Sequence, residues 1–222
     1  QLRCVPSILQ NESILLTSPT GSGKTLAGFL GVFDHLLREL EQGPRSLGVR
    51  CLYVSPLRAL TYDIGKNLRA PIAGMGLENG LLIHVRTGDT SASERAKFRR
   101  KAAHLLVTTP ESLAVMLAQE AFALHLASCR FVIVDELHSF AGNKRGVDLA
   151  VSLERLEELV RPHGPLCRVG LSATAAPLDL LARFLVGGDR PCRIAEAKIE
   201  KESIDEVFSP IRRKPYTPAG YT

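Results

Sequence analysis

The chain contains no tryptophan, and its rings are limited to eight phenylalanines and four tyrosines among 222 residues. That leaves little material for a binding surface dominated by aromatic stacking. No apolar run approaches the roughly 18 residues that a membrane-crossing helix requires. The first residues, Gln1-Leu2-Arg3-Cys4, carry neither a signal-peptide pattern nor a methionine, as expected for a piece of a longer protein. The five cysteines (Cys4, Cys51, Cys129, Cys167, Cys192) are odd in number, scattered and never in C-x-x-C spacing. They point to buried free thiols in a reducing cytoplasm rather than to a disulfide framework. The six histidines form no H-E-x-x-H or comparable cluster, so no zinc site is expected. Charge of one sign is also scarce: the formal net charge of +5 permits a polyanionic partner without requiring one. There is no internal repeat and no low-complexity tract.

What is present is alternation. Short apolar runs at 13–17, 50–54, 81–85, 104–108, 130–134 and 167–171 are continuous rather than alternating, the signature of parallel strands covered on both faces. Between them the helical period appears. Leu26, Phe29, Leu30, Phe33, Leu36, Leu37 and Leu40 share a stripe over 24–41, and Leu149, Leu153, Leu156 and Val160 share one over 147–161. Shorter helical segments are expected near 57–70, 92–101, 110–119 and 176–186. Breakers such as Gly43-Pro44, Asn79-Gly80 and Gly187-Gly188 separate the units. Strand–helix alternation predicts a doubly wound, mostly parallel α/β sheet with right-handed crossovers, helices on both faces and ligands beyond the carboxyl ends of the strands. After about residue 195 the periodicity fades and prolines accumulate (Pro210, Pro215, Pro218), so 1–195 reads as one domain and 196–222 as an exit strand and linker.

Three segments carry chemistry. Ser18-Pro-Thr-Gly-Ser-Gly-Lys-Thr25 follows an apolar strand and opens a helix, the context of a nucleotide-phosphate loop. Thr20, Gly21, Ser22 and Gly23 would turn backbone amides toward phosphate oxygens, Lys24 would reach the β- and γ-phosphates, and Thr25 would ligate Mg²⁺. Ser18 stands where the general G-x-x-x-x-G-K-[ST] pattern has glycine. Next, the strand Phe131–Val134 delivers Asp135-Glu136-Leu137-His138. One acid can hold Mg²⁺ and one can orient or deprotonate water, which suits Asp135 and Glu136 respectively. A strand ending in a solvated acidic turn is the blander alternative. Finally, Ser172-Ala173-Thr174 ends another apolar strand, where the hydroxyls could bond the Asp-Glu loop or simply cap the next helix.

In this order the three segments resemble superfamily 2 helicases, whose fold is the RecA-like P-loop NTPase. Gln1 lies where that family places its adenine-reading glutamine. Ser55-Pro56-Leu57-Arg58-Ala59-Leu60 resembles motif Ia and Thr108-Thr109-Pro110-Glu111-Ser112 resembles motif Ib. The resemblance implies that Pro56, Arg58, Thr109, Pro110 and Glu111 lie against one nucleic-acid strand, and helix N-termini, hydroxyls and an arginine are fit phosphate partners. His138 would couple the nucleotide site to the nucleic-acid side, and Ser172 with Thr174 would transmit domain closure. The large helicase-related (Lhr) group is a closer match. Arg86-Thr87-Gly88-Asp89-Thr90, Thr109-Pro110-Glu111-Ser112-Leu113, Asp135-Glu136-Leu137-His138, Asn143-Lys144-Arg145-Gly146 and Ser152-Leu153-Glu154-Arg155-Leu156 are similar to segments of that group. Thr87, Gly88 and Asp89 thereby join the nucleic-acid set.

This resemblance spans roughly 1–208 and implies the first RecA-like domain of a bacterial or archaeal ATP-dependent DNA helicase or translocase, acting in repair, moving 3′ to 5′ on single-stranded DNA, with ATP and Mg²⁺ as cofactors. An RNA or hybrid helicase remains open, since backbone contacts carry little base identity. So do a P-loop ATPase and a nucleotide-switched binding module that do not act on nucleic acid. The basic run over 86–101 (Arg86, Arg95, Lys97, Arg99, Arg100, Lys101 against Asp89 and Glu94) is either a solvated helix face or an extension of a phosphate track. Asn143, Lys144 and Arg145 could meet a strand, a partner domain or solvent alone. The family's second domain supplies arginines in a Q-x-x-G-R-x-G-R segment, which this chain lacks. Weak ATP·Mg binding, very slow hydrolysis and no unwinding are therefore expected of the chain alone.

Overall fold

A computed structural model of the chain describes residues 4–19, 21, 23–41, 48–74, 80–101, 103–173 and 177–197, the side chains of 58–60 and 71 excepted. Gln1, Thr20, Ser22 and Thr174, and all but the start of the segment 196–222, lie outside the described residues. Seven strands form one sheet among them: Ile14–Thr17 (β1), Cys51–Val54 (β2), Ile83–Arg86 (β3), Leu105–Thr108 (β4), Phe131–Val134 (β5), Cys167–Ser172 (β6) and Arg193–Glu196 (β7). Their order is β3-β4-β2-β5-β6-β1-β7, and every pairing is parallel. The six expected strands are all present, with β3 lying two residues later than its apolar run. β7 was not marked as a strand of the sheet by its apolar pattern. It is an edge strand, mostly exposed at Arg193 and Ile194, and so needs no continuous apolar run.

The described helices are Val5–Leu9 (α1), Lys24–Glu41 (α2), Arg58–Asn67 (α3), Arg69–Gly74 (α4), Ala92–Arg100 (α5), Pro110–Leu117 (α6), Glu120–Leu126 (α7), Lys144–Val160 (α8) and Leu178–Val186 (α9). α2 buries Phe29, Phe33 and Leu36 on one face of the sheet, against Ile14, Leu16, Tyr53, Ile133 and Val169. α6, α8 and α9 cover the other face with Leu113, Leu149, Leu153 and Leu185 over Leu15, Leu52 and Val132. The central strands alternate their side chains between these two apolar layers, which is why they read as continuous runs. The helix expected over 57–70 is divided at Leu68 into α3 and α4. α1 and α7 are too short to show a stripe. Four of the five thiols are buried and all five are free. Burial pushes Cys129 and Cys167 up to about 12, so these thiols stay protonated.

α8 begins three residues before its apolar stripe. Asn143 caps it, its Oδ1 accepting from the Gly146 amide at 3.0 Å. Gly146 packs so closely on the preceding turn that a Cβ there would stand 2.0 Å from the Phe140 carbonyl oxygen. Gly146→Ala should therefore destabilise the fold by about 1–3 kcal/mol, the cost of overpacking, despite alanine's better helix propensity. Chemical denaturation checks this.

The core also holds a cation. Arg168 on β6 is 1 % exposed. Its guanidinium donates to Glu157 Oε2 (2.8 Å), Glu154 Oε1 (3.0 Å) and the carbonyls of Leu185 (3.0 Å) and Leu153 (3.3 Å). Glu154 also takes both terminal nitrogens of Arg190 at 2.7 Å. This cluster ties β6 to α8, α9 and the approach to β7. Its hydrogen bonds from Arg190, against the opposing effect of burial and with help from Arg168, hold the Glu154 carboxyl down at about 2, from an ordinary 4.5. Because the folded value lies below the unfolded one, Glu154 contributes stability above pH 4.5 that is lost as pH falls toward 2. The melting temperature of Glu154→Gln should accordingly depend less on pH than the parent's across that window, as thermal scans at stepped pH will show.

Candidate active site

All seven strands point the same way, so the segments that follow them emerge along one edge of the sheet. After β1 the chain turns through Gly21 (φ 73°) and Gly23 (φ 79°), backbone angles that side-chain-bearing residues rarely adopt. Nothing lies within 4 Å of a Cβ built at Gly21, so its glycine is required by conformation and not by space. α2 then starts at Lys24, which is 8 % exposed. Its Nζ donates to the Ser18 carbonyl at 2.7 Å and the Pro19 carbonyl at 3.2 Å, so the ammonium is folded back over its own loop. Ser18 itself is buried, and its amide donates to the Ser172 carbonyl at 3.3 Å, linking the loop to the end of β6.

At the end of β5, Asp135 is 8 % exposed. Its Oδ1 accepts from the Glu136 amide at 2.9 Å, and its Oδ2 accepts from the Tyr53 hydroxyl of β2. Thr25, in the first turn of α2, lies beside the same phenol. One ring thus joins the first helical turn after the loop to the acid at the end of β5. Burial, together with the Asp135 charge, pushes the Tyr53 phenol far above its ordinary 10, so it remains a hydrogen-bond donor. Among the described residues no lysine, arginine or histidine forms an ion pair with Asp135.

Glu136 sits in the left-handed region (φ 47°, ψ 45°), an uncommon conformation for a non-glycine residue. The turn brings Glu136 Oε2 to 3.4 Å from His138 Nδ1, and the same nitrogen lies 3.1 Å from Ser172 Oγ. The carboxylate, the imidazole and the serine that ends β6 therefore form one group beside Asp135.

The segments assigned to nucleic acid emerge from β3, β4 and β2, on the other half of the same edge. Thr87 and Thr90 are buried and close a turn, the Thr87 amide donating to Thr90 Oγ1 at 2.9 Å, while Gly88 and Asp89 are exposed at its tip. Thr109 is 2 % exposed, and its hydroxyl accepts from the Ser112 amide at 3.4 Å, capping α6. The Pro56 carbonyl accepts from Arg145 Nη2 at 2.9 Å, and Arg145 Nε lies 2.6 Å from Glu111 Oε1. Glu111 is partly desolvated, yet the Arg145 guanidinium and its own amide hold its carboxyl below the ordinary 4.5. Arg58 opens α3; its side chain is not described.

Three residues stand out that the sequence pattern underrated. Tyr53 reads as one more apolar residue of β2. Arg145 bridges the loops after β2 and β4. Arg86, counted in the basic run over 86–101, is only 4 % exposed and stacks on the Phe122 ring, 3.8 Å from its centroid. It is therefore not part of a solvated face, although Arg95, Lys97, Arg99 and Arg100 of α5 are exposed.

A profile of the DEAD/DEAH box helicase family matches residues 1–181. The chain belongs to the DEAD/DEAH box helicase family. It is 43 % identical to an ATP-dependent helicase Lhr-Core of Methanothermobacter thermautotrophicus, over 95 % of this chain and 25 % of that protein. It is 44 % identical to an Lhr helicase/uracil glycosylase of Escherichia coli K12, over 91 % of this chain and 14 % of that protein. In structure it resembles Mycobacterium smegmatis helicase Lhr bound to ssDNA and AMP-PNP, with a TM-score of 0.78 at 41 % identity, covering 88 % of this chain and 25 % of that one. The chain thus spans a quarter or less of these relatives.

The Arg145 bridge makes a prediction of its own. Arg145→Ala should return the Glu111 carboxyl toward 4.5 and speed amide exchange in the turn after Pro56. Global stability should change by less than about 1 kcal/mol, as is usual for a half-exposed ion pair. Carboxyl titration and amide exchange followed by NMR would check both.

Proposed function

We propose that this chain is the first RecA-like, ATP-binding domain of an Lhr-type helicase that couples ATP hydrolysis to movement along single-stranded DNA. The observation that carries the reading is Tyr53, whose ring stacks on Phe29 of the helix after the phosphate loop and whose hydroxyl donates to Asp135, which supports a common site for that helix and the Asp-Glu segment. In this reading residues 1–195 are the domain, 196–222 lead toward a second RecA-like domain, and the protein resides in the cytoplasm of a bacterium or archaeon.

The donor set fits ATP with Mg²⁺. Asp135 is a buried carboxylate without a cationic partner among the described residues, and Thr25 lies beside the phenol that donates to it. Thr25 and Asp135 would hold the metal, which supplies charge neutralisation on the phosphates when bound. Lys24 would exchange the Ser18 and Pro19 carbonyls for phosphate oxygens, with the amides of 20–24 beside it and Gln1 reading the base. Glu136 orients and deprotonates water. His138 and Ser172, bonded to each other, carry the state of that site along the edge, with Thr174 as a further member. On the strand side Arg58, the tip Thr87-Gly88-Asp89 and the N-terminal amides of α6 at Thr109-Pro110-Glu111 meet backbone phosphates. The Thr109 hydroxyl is engaged in its cap and Glu111 holds Arg145, so both act there by shaping the Pro56 loop and α6. DNA is favoured over RNA by similarity to an Lhr protein solved with ssDNA.

The test uses the longer protein that contains this chain, assayed for ATPase with and without single-stranded DNA. Glu136→Gln should reduce stimulated turnover by about 10²–10⁴-fold, the range for removal of a general base, while leaving DNA binding in place. The 222-residue chain alone should turn over very slowly, because an arginine supplied from outside is worth about 10³–10⁵ in comparable phosphoryl transfers. Robust DNA-stimulated hydrolysis by the chain alone would overturn the two-domain reading. A nucleotide affinity indifferent to any single-stranded nucleic acid would favour an ATPase of another kind.

A further inference from the structure

Tyr53 occupies the third position of β2 and is fully buried. Its ring stacks on Phe29 of α2, with centroids 5.3 Å apart and planes 19° from parallel. Packing alone would be served by phenylalanine, since a buried hydroxyl must find partners or destabilise the fold. This hydroxyl donates to Asp135 Oδ2, one of the two residues assigned to the metal, and Thr25, the other, lies beside the same phenol.

Hydrogen-bond direction matters here. A hydroxyl ligates a cation through a lone pair, so its proton has to point away from the metal. A carboxylate offers about four lone-pair positions, and Asp135 commits one to the Glu136 amide and one to Tyr53. The rest take no hydrogen bond or ion pair among the described residues. We propose that Tyr53 is a positioning residue of the ATP·Mg site: its oxygen accepts the Thr25 proton and its own proton goes to Asp135, so that the lone pairs of both ligands converge on one point. The inference rests on the proposed nucleotide reading. It adds a member to the site that neither the phosphate loop nor the Asp-Glu segment contains. Groups that orient metal ligands from behind typically change metal affinity by about 10–100-fold when removed.

The experiment compares the 222-residue chain with Tyr53→Phe, which deletes the hydroxyl and keeps the stacked ring. Equilibrium titration with a fluorescent ATP analogue is run in Mg²⁺ and again in EDTA. The parent should bind more tightly in Mg²⁺. In the variant that advantage should shrink by about ten-fold or more, while affinity in EDTA changes by less than about two-fold. A merely structural role would move both affinities together. In an Asp135→Asn background, where the advantage is already lost, Tyr53→Phe should add nothing further. Tyr53→Leu, which also lacks the hydroxyl, replaces Tyr53→Phe if the latter does not fold. A Tyr53→Phe chain that binds nucleotide with the parent's full Mg²⁺ advantage overturns the inference and leaves the nucleotide reading standing. A folded parent chain that gains nothing from Mg²⁺ overturns that reading, and the inference with it.

Discussion

The parallel register of the sheet is the constraint on which the rest depends. Thr17 pairs with Ser172, Val54 with Val134, and Val54 with Thr108, so adjacent strands end at one level. Every loop that carries chemistry leaves from that level. An antiparallel strand in the centre would have sent one of these segments to the far edge. The two apolar layers make the register costly to slip, because a one-residue shift would turn each buried side chain to the opposite face.

Strand order then divides the edge. β1, β6 and β5 are neighbours and bring the phosphate loop, Ser172 and the Asp-Glu-Leu-His segment together. β2, β4 and β3 carry the segments proposed for the nucleic-acid strand. β2 adjoins β5, and this adjacency is what lets a tyrosine on β2 reach the acid after β5. The boundary between the two halves is bonded at several places. The Asp135 amide donates to the Val54 carbonyl at 2.9 Å, and Arg145 of α8, the helix that follows β5, reaches Pro56 and Glu111; within the second half the Ser55 amide donates to the Thr108 carbonyl at 3.0 Å. Short polar contacts thus join the two halves.

Several charged groups buried in this fold each meet more than one partner. Arg168 meets two carboxylates and two carbonyls, and Asp135 meets a phenol and an amide. Lys24 meets two carbonyls of its own loop, an arrangement that a stronger acceptor such as phosphate could displace. Arg86 is an exception, as the Thr17 hydroxyl is: its Nη1 is buried without a hydrogen-bond partner while the guanidinium lies on Phe122. The aromatic face offsets part of that cost.

The first six strands, the amphipathic α2 and the turns that follow β1 and β5 were legible in the chain, because each writes its own local pattern: a run, a stripe or a spacing. The start of α8 was not, since it depends on a cap at Asn143 and on backbone contact at Gly146 rather than on apolar period. Nor was β7, an edge strand with only one side to bury. The hydrogen bond of Tyr53, the burial of Arg86 and the bridge by Arg145 had no local signature at all. A tyrosine in an apolar run, or an arginine in a basic one, looks the same whether it is core, surface or site. Which it becomes depends on the partner that strand order places beside it, and hydrogen bonds between residues 82 or 34 positions apart, such as Tyr53 to Asp135 and Arg145 to Glu111, exist only once the sheet has assembled.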